Sequence, residues 1–480
     1  MGFSLLDYAI LVLYLLATAI LGILLGRGRK DLGQYFLAGR NLSWWVVCLS
    51  IVATETSTLT FIGVPALSYT GNFTFLQLVF GYVVGRVLVS FLLVPAYFKQ
   101  RLQTAYQLLA YRLGKGVRKF SAFLFLGTRS LADGVRLFST GLVLSVVTGI
   151  SDFWAVLLIG AITVAYTFYG GMLSVIFNDV VQLVVYLSGA VIALYVLLDK
   201  IPGGWSQAIS EAQLHAKLQV FDFDLALATP YTFWAGLVGG AFLTLATHGT
   251  DQMMVQRYLS SGTPRRSQIA LIASGVVILA QFSLFLLLGA LLFVFYKHFP
   301  LDQALVQTDR IFPIFIVREL PSGISGLIIA AIFAAAMSTL SSSLNSLSAS
   351  SIHDFYRGWR RGTEAHYLRV SRLLTLGWCG ILVVIALLAR NWGSVLEAGL
   401  TIPSLTMGSV LGVFLLALRR RSITQRGALT GMAAGLATML VIHWTGEVAW
   451  PWYVLVGTSV TFATGWIASR LGGGNPAPGH

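Results

Sequence analysis

The chain has 480 residues, of which 56% are hydrophobic and only 10% are charged, with a formal net charge of +14. A water-soluble domain normally carries about 25% charged residues, so this chain has too little polar surface to cover itself in water. The composition indicates a protein that lies mostly in lipid. The 32 Lys and Arg residues are spread over short loops between apolar runs, which argues against a nucleic-acid-binding protein.

Long apolar segments follow one another along the chain. A membrane-spanning helix needs about 20 mostly apolar residues, and this criterion predicts about thirteen such helices. They cover residues 5–25, 44–70, 75–98, 120–148, 152–170, 176–199, 232–256, 267–296, 322–349, 370–389, 394–418, 427–444 and 452–470. The longest polar stretch, 199–231, is too short for more than a helix or two.

The basic residues predict the orientation of these spans. With the N-terminus outside and the C-terminus in the cytoplasm, most of the 32 Lys and Arg residues fall in cytoplasmic loops, as the positive-inside rule requires. We therefore expect a multi-pass protein of the plasma membrane, or of the inner membrane if the source is bacterial.

Two predicted spans contain polar interruptions that a lipid-facing helix would not tolerate. Residues 53–58 read ATETST and are followed by Gly63 and Pro65, and residues 246–252 read ATHGTDQ. Equivalent interruptions in two halves of a chain are typical of transporters built from inverted repeats. Hydroxyls that bond to their own helix would explain the Ser and Thr residues, but not the carboxylate of Glu55.

Charged side chains within the spans are candidates for function, because each costs about 2.5–3.5 kcal/mol at a helix centre unless it is paired or solvated. Their spacing predicts an ion pair between Arg129 and Asp133, which are four residues apart on one helical face. Arg136 then remains as a cation for an anionic solute. His248 and Asp251 either pair with helix ends or contact the solute. The charged candidates are Glu55, Arg86, Arg129, Asp133, Arg136, Asp179 and Asp251.

The ninth predicted span carries neighbouring hydroxyl groups at Ser338, Thr339, Ser341 and Ser342. Small residues allow close helix packing, which explains the alanines before them but not so many hydroxyls. Hard cations prefer oxygen ligands, so this patch predicts a sodium site.

Several motifs in chain order make the sequence similar to the sodium:solute symporter family. They are YFLAGR at 35–40, YGG at 169–171, VIFNDVVQ at 175–182, VQRYL at 255–259, the serine-rich span and DFY at 354–356. The similarity runs from the first predicted span to at least the eleventh. In its serine-rich span the chain most resembles the bacterial sodium/sialic acid symporters.

The resemblance implies an all-α polytopic fold of the LeuT type. Two inverted halves of five helices would have one extra helix before them and two to three after them. On this basis the chain divides into an N-terminal helix and loop over 1–43, a first repeat over 44–231, a second repeat over 232–418 and C-terminal helices over 419–480. The interruptions would lie near 53–65 and 246–252, and the serine-rich helix over 322–349.

The resemblance also implies the binding sites. The main sodium site would use the backbone carbonyls of Ala53, Thr56 and Ala335 with the hydroxyls of Ser338 and Thr339. A second sodium site would use Asp179, Ser341 and Ser342 and share Ser338, although Asp179 has an alternative role in an ion pair or helix cap. The candidate solute residues are Glu55, Ser57, Thr60, Phe75, Arg136, His248 and Asp251.

Two positions differ from the sialic acid branch. Ala132 stands where that branch has its carboxylate-binding arginine, and Arg136 lies one turn later. Glu55 replaces a small or hydroxyl residue and would suit a ligand ammonium or hydroxyl group. The predicted solute is therefore small and organic, either anionic like sialic acid or a monocarboxylate, or similar to an amino acid or a sugar.

The sequence thus predicts a sodium-coupled symporter that imports its solute by alternating access. Its partners would be the solute, sodium and the lipid bilayer, with no nucleic acid and no obligatory protein partner. The alternative is a sodium-independent facilitator or channel of the same fold. An intramembrane enzyme is disfavoured, because the 7 His residues are scattered without metal-binding spacing.

Overall fold

The computed structural model describes residues 3–26, 32–99, 102–301, 308–389, 395–419 and 423–471. Every regular element in these ranges is a helix. Nine of the described helices are long and apolar enough to cross a membrane, or ten if the bent pair Leu32–Arg40 and Trp44–Glu55 counts as one span. The predicted all-α polytopic fold is confirmed. The predicted cytoplasmic tail after residue 471 lies outside the described residues.

The α-helices are numbered here in chain order. They are α1 (Leu5–Gly26), α2 (Leu32–Leu37), α3 (Trp44–Glu55), α4 (Val64–Thr70), α5 (Leu76–Leu92), α6 (Val94–Phe98), α7 (Gln107–Leu113), α8 (Lys115–Thr148), α9 (Asp152–Lys200), α10 (Gly204–Leu214), α11 (Gly240–Gly249), α12 (Gln252–Ser260), α13 (Pro264–His298), α14 (Ile311–Glu319), α15 (Ile324–Ser350), α16 (Arg357–Trp359), α17 (Glu364–Leu388), α18 (Val395–Leu418), α19 (Gln425–Thr445) and α20 (Tyr453–Leu471).

The remaining predicted spans are helical but short or broken. Residues 44–70 form α3, a π-helical turn at Leu59–Gly63 and α4, and residues 232–256 hold the π-helical turn Ala235–Gly239, α11 and most of α12. The predicted span 152–170 is the first part of α9, and 452–470 corresponds to α20. The count of about thirteen spans therefore stays a prediction.

Helix α9 is bent at Gly171, where it divides into a shorter first segment and a second segment, Gly171–Lys200, that is long enough to span a membrane. Gly171 has a φ of 58°, a left-handed conformation that side chains with a Cβ rarely adopt. A Cβ here would also lie only 2.6 Å from the carbonyl oxygen of the fully buried Tyr35. Glycine thus allows both the bend and the close approach of α2.

Helix α15 lies at the centre of the bundle. In the most apolar part of this helix 89% of the residues are buried, compared with 17% in the corresponding part of α1 and 28% in that of α17. It packs against α1, α3, α8, α9 and α17, while α18, α19 and α20 pack mainly on one another. The hydroxyl-rich segment therefore faces protein on all sides instead of lipid.

Lys217, in the polar segment after α10, holds the end of α4. Its Nζ donates hydrogen bonds to the backbone oxygens of Tyr69, Thr70 and Gly71 at 2.7, 3.2 and 2.8 Å, and lies 4.2 Å from the ring centroid of Phe293. The last carbonyls of a helix have no partner within the helix and attract cations. Burial lowers the pKa of Lys217.

The close packing of α5 against α11 gives a stability prediction. A Cβ at Gly81 would collide with the carbonyl oxygen of Gly236 and lie 2.8 Å from the backbone nitrogen of Ala241. Overpacking of this kind costs about 1–3 kcal/mol, so Gly81→Ala should lower the Tm of the purified protein by several degrees. Gly127→Ala is the matched control, because Gly127 is helical and its Cβ would enter open space. Equal Tm values for the two variants would contradict this account.

Candidate functional site

The first interrupted helix, α3, ends at Glu55. Thr56 after it is extended, with φ −78° and ψ 115°. Its N–H and its Oγ1 both donate to the carbonyl of Val52, at 3.0 and 2.9 Å. An α-helix leaves its last carbonyls without partners of its own. The backbone oxygens that follow Val52 are therefore free to bind groups on other helices.

Two hydroxyl groups of α15 donate hydrogen bonds to these backbone oxygens. The Oγ of Ser338 donates to the carbonyl of Ala53 at 2.8 Å. The Oγ1 of Thr339 lies 3.0 Å from the carbonyl oxygen of Thr54 and 3.2 Å from that of Thr56. It also lies 3.4 Å from the carbonyl oxygen of Ala335 in its own helix. The five oxygens predicted for the main sodium site are thus gathered between α3 and α15.

The chemistry of this oxygen cluster suits a hard monovalent cation. A hydroxyl has one donor hydrogen and two acceptor lone pairs, whereas a carbonyl oxygen only accepts. Rotation of the two hydroxyl hydrogens would turn their lone pairs toward an ion and leave the three carbonyl oxygens to complete its shell. Oxygen atoms are the ligands that hard cations prefer, and a cluster of neutral oxygens leaves a bound monovalent cation with its single charge. Sodium binding by these groups stays a prediction.

Asp179, predicted for a second sodium, is buried in an ion pair. Its Oδ2 accepts from Ser50 Oγ at 2.5 Å, from Thr54 Oγ1 at 3.1 Å and from the Arg257 guanidinium at 2.8 Å. Arg257 also donates to Ser342. The Oδ1 of Asp179 is buried without a hydrogen bond from the described residues. The alternative role of Asp179 in an ion pair is therefore present, and a sodium ion at this place stays a prediction.

The two remaining hydroxyls of the predicted second site differ in their contacts. Ser342 Oγ lies 3.4 Å from Thr54 Oγ1, which itself donates to the Asp179 carboxylate. Ser341 Oγ instead donates to the carbonyl of Ser338 in its own helix at 3.2 Å. Of the two, Ser342 has the more direct link to the ion pair.

One cavity lies between the break after α3 and helices α5, α8, α11, α12, α13 and α18. All seven candidate solute residues line it, namely Glu55, Ser57, Thr60, Phe75, Arg136, His248 and Asp251. The sequence does not predict the wall formed by α18, which includes Gly399, Leu400, Pro403 and Met407. Contact of the seven candidate residues with a solute stays a prediction.

Arg136 is not the unpaired cation that the sequence predicts. The predicted pair of Arg129 with Asp133 is confirmed, with nitrogen–oxygen distances of 2.5 and 2.7 Å. The Oδ1 of Asp133, however, also accepts from Arg136 at 2.6 Å. One carboxylate offers enough lone pairs for both guanidinium groups. Arg136 still lines the cavity.

Asp251 lies at a helix end, as expected, and also lines the cavity, while its contact with a solute stays a prediction. Its Oδ1 accepts from the backbone N–H of Met253 at 2.8 Å and so caps α12, as acidic residues do at helix N-termini. Its Oδ2 lies 3.3 Å from the Arg129 guanidinium. The second interruption is therefore tied to α8.

Glu55 is also paired. It forms an ion pair with Arg86 of α5, and its Oε2 lies 3.4 Å from His248 Nε2. Arg86 donates further to Ser274 Oγ at 3.2 Å and to the carbonyl of Tyr82 at 3.1 Å. Because Glu55 ends α3 and His248 lies in the last turn of α11, Arg86 links the two interrupted helices.

Sequence reasoning missed the roles of Arg86 and Arg257. Arg86 was visible as an intramembrane charge, but its partner Glu55 lies 31 positions away in sequence. Arg257 lies in the VQRYL motif, one residue beyond the predicted span. The signal available was Asp179 itself, because a buried carboxylate within a span requires a cationic partner.

Long spans, two interrupted helices and a polar cavity at the interruptions define a membrane solute transporter. Comparison with known proteins gives the family. The model of the sodium:solute symporter family matches residues 35–435, and the chain belongs to this family. The family prediction is confirmed, and sodium is the coupling ion that the family uses.

Similar proteins cover most of the chain. The human sodium/iodide cotransporter is 32% identical over 447 residues, which are 90% of this chain and 69% of that protein. The sodium/sialic acid symporter of Aliivibrio fischeri is 29% identical over 477 residues, 98% of this chain and 94% of that protein. A solved sodium-coupled sialic acid symporter, in a substrate-bound outward-open state, matches with a TM-score of 0.91 and 27% identity over 100% of both chains.

The main sodium site can be tested with sodium alone. Ser338→Ala or Thr339→Ala removes a hydroxyl that faces the free carbonyls of α3, so the sodium concentration that gives half-maximal thermal stabilisation should rise about tenfold, equivalent to about 1.4 kcal/mol. The measurement is the Tm as sodium replaces potassium at constant ionic strength.

Ser346→Ala is the matched control for this experiment. Its hydroxyl is buried in α15 but donates only to Ser343 of the same helix, at 2.9 Å. It should leave the sodium titration unchanged, and Thr339→Ser should keep most of the response. If the sodium titrations of Ser338→Ala and Thr339→Ala were both unchanged, sodium would not bind at these two hydroxyl groups.

Proposed function

We propose that the chain imports a small organic solute together with sodium by alternating access. The observation that carries the proposal is that one helix break borders both the oxygen cluster and the cavity. Ala53 and Thr56 offer carbonyls to the hydroxyls of α15, while Glu55, Ser57 and Thr60 line the adjoining cavity. An ion bound on one side of the break would therefore fix the wall of the solute cavity on the other side.

Coupling follows from this arrangement. Sodium between α3 and α15 would stabilise the conformation in which the break and the hydroxyl groups face each other, and a ligand shifts an equilibrium only through such differential binding. Solute binding and closure would then expose the sites to the other side. Each sodium that crosses the membrane field contributes about 2.3 kcal/mol per 100 mV.

The proposed solute is anionic, like sialic acid or a monocarboxylate, or else resembles an amino acid or a sugar. The names of two similar proteins give iodide and sialic acid as their solutes, which favours an anion. The guanidinium of Arg136 in the cavity wall supports the same choice. The other partners that we propose are sodium and the lipid bilayer.

We also propose the membrane orientation and the repeat division given by the sequence. The N-terminus would face outward and the C-terminus the cytoplasm of a plasma membrane, the inner membrane in a bacterium. The repeats would cover 44–231 and 232–418, between the flanking segments 1–43 and 419–480. The similar positions of the two interruptions, after Glu55 and after Gly249, support this division.

Radiolabelled uptake into proteoliposomes tests the proposed function. The panel contains sialic acid, monocarboxylates, proline, hexoses and polyols, each with an inward sodium gradient and with potassium in its place. We expect at least one compound to accumulate only with sodium, because the ion is needed to order the helix break. Equal uptake of every transported compound with sodium and with potassium would instead support the alternative, a sodium-independent facilitator or channel.

The second sodium site has a separate test. If sodium binds at the free Oδ1 of Asp179, Asp179→Asn should lower the Hill coefficient for sodium toward about one. Neutralising only one partner of a buried pair costs about 3–5 kcal/mol, so the double variant Asp179→Asn/Arg257→Met serves as the folded control. An unchanged Hill coefficient in both variants would assign Asp179 to structure only.

A further inference from the structure

The charges around the cavity balance one another in the described part of the chain. Three guanidinium groups face three carboxylates, and each is held in a pair. The guanidinium groups are Arg86, Arg129 and Arg136, and the carboxylates are Glu55, Asp133 and Asp251. With His248 neutral, this network around the cavity carries no net charge.

Two residues of this network have polar atoms without a hydrogen bond from the described residues. The Oε2 of Glu55 is the atom that contacts both Arg86 and His248, so its Oε1 has no hydrogen bond from the described residues. The Glu55 side chain lines the cavity and keeps 15% exposure. On another wall, Arg136 uses only its Nη1 in the ion pair with Asp133, its buried Nε has no hydrogen-bond partner among the described residues, and its side chain keeps 17% exposure. The cavity therefore offers one acceptor, the Oε1 of Glu55, and one cationic donor group, the guanidinium of Arg136.

We propose, building on the proposed function, that the cavity takes a small carboxylate that also carries an uncharged hydrogen-bond donor such as a hydroxyl group. The carboxylate meets Arg136 and the hydroxyl meets the Oε1 of Glu55. Arg86 is the positioning residue that sets the preference for a hydroxyl over an ammonium group. It does not line the cavity and its side chain is 0% exposed.

The first argument for this preference is local. A carboxylate alone attracts an ammonium group, but Arg86 is fixed on the same carboxylate by its bonds to Tyr82 and Ser274 and repels a second cation. An ammonium group would thus lose its hydration for little electrostatic gain. A hydroxyl loses less on leaving water and still donates a good hydrogen bond to Oε1.

The second argument is the total charge. A monoanion that binds with one sodium adds no net charge to a neutral pocket, whereas a zwitterion with one sodium adds a positive charge. Net charge inside the membrane is unfavourable. Both arguments favour a hydroxy acid over the amino acid of the same carbon skeleton.

The test compares matched pairs of acids in two measurements. One is the inhibition of the sodium-driven uptake of a transported compound, and the other is the rise in the Tm of the purified protein in sodium-containing buffer. The pairs are glycolate and glycine, lactate and alanine, and phenyllactate and phenylalanine. In the unaltered protein we expect the preferred hydroxy acid to act at a concentration at least tenfold lower than its amino acid partner. An amino acid preferred in every active pair overturns the inference.

Variants separate positioning from general damage. Arg86→Gln leaves the Glu55 charge unbalanced and should reverse the preference toward the amino acid, an effect that loss of stability alone would not produce. The double variant Glu55→Gln/Arg86→Gln has no charge on either residue and should restore the preference for the hydroxy acid. If folded Arg86→Gln protein still preferred the hydroxy acid to the same extent, Arg86 would not be the residue that sets this preference.

The outcomes also distinguish this inference from the proposed function. Sodium-dependent uptake of an uncharged solute, with no effect of any acid, overturns the inference and leaves the sodium symporter in place. Uptake that is independent of sodium overturns the proposed function as well.

Discussion

The structure depends on how a helix broken inside the membrane satisfies its backbone. Water is absent from the hydrocarbon core, so each free carbonyl must find a partner within the protein. Helix α3 solves this by presenting the carbonyls of Ala53, Thr54 and Thr56 to Ser338 and Thr339. That solution requires α15 to lie at the centre of the bundle, and small residues along α15 allow its neighbours to approach closely. The same oxygens then become available to an ion.

Buried charges add a second constraint, because each must be neutralised by a partner on another element. Arg257 joins α12 to α3 through Ser50 and to α9 through Asp179, and Arg86 joins α5 to the ends of α3 and α11. Breaking a buried pair by removing one partner is expensive. The neutral hydroxyl–carbonyl contacts between α3 and α15 cost less to rearrange than these ion pairs, so a conformational change that kept the pairs intact would break the contacts with α15 first.

Local spacing predicted part of this from the sequence. The pair of Arg129 and Asp133 follows from helical periodicity, and the cluster of hydroxyls near Ser338 follows from composition and family motifs. The partners of Glu55 and Asp179 do not follow, because they lie 31 and 78 positions away and no periodicity connects them. Without its partner, Glu55 looks like a free charge facing a solute. Arg136 looks free for another reason, because the helical spacing assigns Asp133 to Arg129, whereas the folded protein shares that carboxylate between both guanidinium groups.

The interrupted helix is anchored by three kinds of interaction along its length. Below the break, Ser50 binds the buried ion pair of Arg257 and Asp179. At the break, hydroxyl groups of α15 donate to the carbonyls of α3 that have no partner in their own helix. At the end of α4, Lys217, which lies in the polar segment after α10, donates to the last carbonyls of that helix. The ion pair and the hydroxyl groups of α15 are both fully buried, whereas Lys217 is slightly more exposed, and its ammonium group is strongly hydrated once it leaves the backbone oxygens. Among the three, the contact that holds the end of α4 is therefore the one that costs least to break.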